Sequence, residues 1–93
     1  MLAFLRTEFP ERFAIVGENA VKEMIARGKA DAVTRRLIAK PDVSRYIALM
    51  FALGVDFQTK EPPRWVLLIL SLWAPASERL DRIYDRIASA GAP

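Results

Sequence analysis

Residues 64–73 read RWVLLILSLW, and the fold turns on how this run is read. Arg64 is its one charge, and eight of the other nine side chains are large and apolar. Residues Trp65 to Ala76 carry no charge. As a helix, those twelve residues span roughly 18 Å, against about 30 Å of hydrocarbon in a bilayer. Pro75 interrupts the stretch, and no basic face accompanies it of the kind an in-plane membrane anchor needs. The run therefore reads as a helix of a globular protein, without a membrane span. On a helical wheel Arg64, Leu67 and Leu68 fall within about 60° of Ser71, with Trp65, Ile69, Leu72 and Trp73 on the other half. The second set is expected to fill the core. Two readings of the first set stay open: another helix, such as the N-terminal arm, covers Leu67 and Leu68, or they form an exposed strip for a partner or a second copy.

Outward from this run the chain is punctuated helix. Pro10, Gly28, Pro41, Gly54, Pro62-Pro63, Pro75 and Gly91 divide segments whose apolar residues recur at three and four. No stretch alternates with period two. After the opening residues 2–8, a long helix is expected from Pro10, with Phe13, Val16, Gly17, Ala20, Val21, Met24 and Ile25 inward and Gly28 ending or bending it. Gly17 is then the place for a neighbouring helix to approach closely. A further helix is expected over Ala30–Ala39, with Ala30, Val33, Leu37 and Ile38 inward and Pro41 as its stop. Next comes DVSRYIALMFALG, residues 42–54. Asp42 reads as its N-cap and Gly54 as the left-handed residue after its last turn. Nothing from Tyr46 to Leu53 is charged, so this helix should be central. The last helix starts near Ser77 and is closed by Gly91 and Pro93. Leu80, Ile83, Tyr84 and Ile87 lie on one face, with Glu78, Arg79, Asp81, Arg82, Asp85 and Arg86 on the solvated ones. The expectation is one all-α domain over residues 1–93, a compact bundle of four to six short helices.

Composition narrows the chemistry. The 93 residues contain no cysteine and no histidine, which removes disulfides, thiolate chemistry and the commonest metal ligand and proton carrier. No phosphate loop, nucleophile elbow or ligand cluster occurs, so no enzyme activity, metal or cofactor is expected. The start, MLAFLRTEF, lacks the order of a signal peptide, and a cytoplasmic location is expected. The net charge of +3 is concentrated in Arg27, Lys29, Arg35, Arg36 and Lys40, opposed locally by Asp31 alone. That segment could contact phosphates. The chain has no polar recognition helix to follow it, so nucleic acid ranks behind a solvated face. Asp56 is explained neither by packing nor by a helix end, and an Asx turn is its simplest use.

The run DVSRYIALMFALGVDF (42–57), a following tryptophan and SERLDRIYDRI (77–87), with FPERFAIVGENAV (9–21) before them, resemble a family of small uncharacterised all-helical bacterial proteins. Members of that family are associated with secreted-toxin and type VI secretion gene neighbourhoods. The resemblance implies an accessory, adaptor or cognate binding protein and supplies no catalytic residue. WVLLILSLW is more apolar than the matching helix of the family. The contact residues expected for a protein partner are Arg64, Leu67, Leu68 and Ser71. Arg27, Lys29, Arg35, Arg36 and Lys40 form the alternative, nucleic-acid-binding set.

Overall fold

The computed structural model describes residues 1–91 and shows six helices. They are α1 (Leu2–Glu8), α2 (Pro10–Val16), α3 (Glu18–Thr34), α4 (Lys40–Ala52), α5 (Arg64–Leu70) and α6 (Ala76–Gly91). Pro93 lies outside the described residues. The all-α bundle expected from the sequence is what forms. The radius of gyration is 12.7 Å, close to the value of about 12 Å for a compact chain of this length.

Helix α4 is the centre of the bundle, packed against α3 on one side and α6 on the other. Tyr46, Ile47 and Met50 are fully buried in it, as its lack of charge requires. The Tyr46 hydroxyl donates to the Asp31 carboxylate of α3. Arg45 pairs with Asp81 of α6. Asp42 is not the N-cap, because α4 begins two residues earlier with Ala39 in the capping position. Pro41 sits in its first turn, where a missing N–H does no harm. The N-terminal helices fold over the other end of the core. Phe9 meets Phe51 edge-on with centroids 5.5 Å apart, and Arg6 bridges to Glu18 at 2.6 Å.

The two glycines of the N-terminal half exchange their expected roles. Gly17 takes φ 91°, ψ 148° and separates α2 from α3, in a region almost closed to other residues. No neighbour approaches the position its Cβ would occupy. Gly28 neither ends nor bends α3, which runs through it to Thr34. It is the point of close approach: a Cβ there would lie 2.9 Å from Ile47 Cγ1 and 3.1 Å from Phe57 Cε2. A helix-breaking preference of about 1 kcal/mol is overridden by packing of α4 and the following loop against the bare backbone.

Two helix ends use one device. At the end of α4, the Val55 and Gly54 N–H groups donate to the carbonyls of Met50 and Phe51, with Gly54 at φ 78° as its position implies. At the end of α3, Leu37 and Arg36 donate to Ala32 and Val33 in the same pattern, and Arg36 holds φ 63°. In both, the next residue, Val55 or Leu37, is buried as the apolar anchor of a Schellman motif. No separate helix spans Ala30–Ala39, because this turn follows Thr34; Ala30, Val33 and Ile38 are exposed.

The apolar run is broken sooner than its composition suggests. Helix α5 stops at Leu70, with Ser71 as C-cap and its hydroxyl donating to the Leu68 carbonyl at 2.7 Å. Val66 and Leu70 are its buried residues, while Trp65 and Ile69 are half-buried. Leu72 and Trp73 lie beyond the helix and are exposed, so the wheel that put them in the core does not apply. In α6, Leu80 and Ile83 are buried, but Tyr84 is exposed; Tyr46 is the tyrosine that anchors the core.

Candidate protein-interaction face

The face centred on α5 is assembled by a residue expected on the solvated side of α6. Arg79 is 2% exposed. Its guanidinium donates to the carbonyls of Arg35 (3.0 Å), Leu70 (2.9 Å) and Ala74 (3.0 Å), with a longer contact to Arg36 (3.5 Å). These are the orphan carbonyls at the ends of α3 and α5 and in the turn before α6. One cation thus meets the negative poles of two helices and fixes their ends side by side. Burial, together with nearby Arg36, lowers the Arg79 pKa, and Asp42 opposes that shift. The planar fork of arginine suits this task, since it supplies five N–H donors in one rigid plane.

On the outer side of this joint lie the exposed apolar residues. Leu68 is 58% exposed and Trp73 94% exposed, with Leu72 beside them in sequence. The Arg36 guanidinium lies 5.3 Å from the centre of the Trp73 ring, and its Nη2 reaches the Leu72 carbonyl at 3.4 Å. Leu67 is half-buried between two shallow clefts. One, of about 390 Å³, includes Arg27, Asp31, Arg35, Phe57, Glu61 and Leu67. The other, of about 360 Å³, is lined by Thr34, Arg35, Arg36, Leu67, Leu70, Ser71 and Trp73. The N-terminal arm does not cover this face; α1 packs on α2 and α3.

The sequence sets therefore meet in part. Arg64, Leu68 and Ser71 are exposed, with Leu67 recessed, and Ser71 is engaged in capping. From the basic segment, Arg35 and Arg36 join the same face. Arg27 pairs with Glu23 at 2.9 Å, and Lys29, two positions on, points about 200° away around α3. Lys40 opens α4. Trp73 was missed as a surface residue. The available signal was Pro75 two residues later, which leaves no room for a helix to continue past it.

Asp56 has a structural use. Its carboxylate accepts the N–H groups of Gln58, Thr59 and Lys60 and the Thr59 hydroxyl. The hydroxyl bond and then the backbone bonds hold its pKa well below the usual carboxylate range. The loop so fixed carries Phe57 at φ 65° against Tyr46, with centroids 5.9 Å apart. Among the described residues no group of three or more acidic side chains is placed to hold a metal ion, and no helix is long and apolar enough to cross a membrane. No family model, curated protein or solved structure matches the chain.

Proposed function

We propose that the protein is a non-enzymatic protein-interaction module, with the α5 face as its contact surface. The observation that carries this reading is the tryptophan at 94% exposure on a cleft walled by Leu67 and Leu70. Tryptophan is enriched among the residues that dominate binding at protein interfaces. The Arg36 guanidinium over the Trp73 ring is the cation–π contact this exposed side chain makes. In a bacterial cell this role is that of an accessory, adaptor or cognate binding protein of a secretion or toxin system, as the resemblance of residues 9–87 implies.

The test compares proteins captured from the native cell by the wild type, by Leu68→Glu with Trp73→Glu, and by Ile15→Glu. Ile15 is exposed on α2, away from α5. A protein retained by wild type and Ile15→Glu but lost by the double variant identifies the face. Equal capture by all three rejects it. The basic segment is tested by duplex DNA binding. A steep salt slope that Arg35→Glu and Arg36→Glu flatten would put nucleic acid in the partner's place.

A further inference from the structure

We propose that the occupant of the α5 face is an acidic amphipathic segment of another protein, with carboxylates flanking bulky apolar side chains. The proposal rests on the reading of this face as a contact surface and adds the chemistry of what fits it.

Charge complementarity carries the argument. The cleft beside Trp73 has an apolar wall of Leu67 and Leu70 and a rim of Arg35 and Arg36, and no carboxylate lines it. Arg36 and Arg64 have no carboxylate partner among the described residues. Arg35 shares Asp31, at 3.5 Å, with the Tyr46 hydroxyl. Its Nε is buried without a hydrogen-bond acceptor. Helix ends would ordinarily make such a place unfavourable to anions, since α3 and α5 both turn their negative poles toward it. Arg79 binds those carbonyls from behind and cancels that field. The charged side chains that line the cleft beside Trp73, Arg35 and Arg36, are both cations. The opposing charges, Asp31 and Glu61, both belong to the lining of the adjoining cleft, and Asp31 is already engaged by Arg35 and Tyr46.

A second copy fits less well. A two-fold contact through this face would set a surface rimmed by Arg35, Arg36 and Arg64 against a second surface of the same sign. In α6, Glu78 and Asp81 are already paired with Arg82 and Arg45. Nucleic acid would need a track of cations, and Arg27 and Lys29 point away from each other on α3. An apolar side chain in the cleft with a carboxylate one turn away over Arg36 satisfies both features.

The experiment uses the full chain and three short helical peptides. They share one leucine face and differ only in flanking Glu, Lys or Ser. Binding is read by tryptophan fluorescence and calorimetry. The Glu peptide is expected to bind roughly tenfold more tightly than the Lys peptide, with the difference shrinking as salt rises. Arg36→Glu should reverse the preference, and Trp73→Ala should abolish binding while the far-ultraviolet spectrum stays unchanged. Equal affinity for the Glu, Lys and Ser peptides, lost on Trp73→Ala, would overturn the charge inference and leave the face in place. Binding of no peptide, or binding unaffected by Leu68→Glu and Trp73→Glu, would overturn it as well, and the latter would remove the face with it. A dimer in sedimentation that Leu68→Glu dissociates would make the occupant a second copy. Displacement of the Glu peptide by duplex DNA would make it nucleic acid.

Discussion

Arg79 and Tyr46 are the two side chains in which a polar group is carried furthest into the fold. Removing Arg79 strands carbonyls of three different segments at once. Arg79→Met should therefore cost at least about 3 kcal/mol in urea unfolding, and Arg79→Lys should recover only part, because one ammonium cannot span the same carbonyls. Tyr46→Phe leaves the half-buried Asp31 carboxylate without its donor, at a cost of about 1–2 kcal/mol near neutral pH. The pH dependence has a definite sign. Burial first, and then the Asp31 bond, push the Tyr46 pKa above its ordinary value of 10.0. The stabilisation tied to this proton is complete below pH 10 and is lost as pH rises beyond it. The stability difference between wild type and Tyr46→Phe should thus shrink above pH 10; a constant difference would separate the hydroxyl from the alkaline limb. Neither residue announces itself in the sequence. Arg79 is one of six charged residues between Glu78 and Arg86, and only the convergence of two helix ends gives it acceptors.

At the scale of elements, the two Schellman turns form a natural comparison. Gly54 is legible because glycine after an apolar helix is the ordinary left-handed residue. Arg36 is not legible, since nothing in TRRLIAK distinguishes it from a residue inside a helix. Gly54→Ala should lower stability by about 1 kcal/mol or more, the added methyl also meeting Arg12 Nη1 at 3.1 Å. Arg36→Gly should raise stability by about 0.5–1 kcal/mol, the relief of left-handed backbone strain exceeding both the added entropy of the unfolded chain and the loss of an exposed cation–π contact. Thermal and urea midpoints of the two variants should move in opposite directions. The amphipathic pattern of α6 and the uncharged body of α4 were readable because each is long enough to show its period. The α5 run was not. Seven helical residues followed by a turn carry the same composition as ten in a helix, and the wheel fails where the helix does.

For the whole molecule, the core and the proposed contact face are separable. The core is closed by Leu5, Val21, Leu37, Tyr46, Met50, Val66, Leu80 and Ile83, all fully buried. Leu68 and Trp73 contribute little to it. Leu68→Glu and Trp73→Glu should each change unfolding free energy by no more than about 0.5 kcal/mol, measured by urea titration; a loss of several kcal/mol would show that they belong to the core after all. The fold class was readable because four to six helical segments with short connections have few ways to bury their stripes. The face was only half readable, because it is made where distant helix ends meet. Arg36 ties these scales together. A residue that strains its own turn, where glycine would serve the backbone better, is held beside the exposed tryptophan. A laboratory selection for heat resistance should favour its replacement by glycine, and the proteins it yields should be sturdier but poorer at binding the acidic peptide proposed for the α5 face. On the proposed reading of that face, hardiness and recognition compete for a single codon.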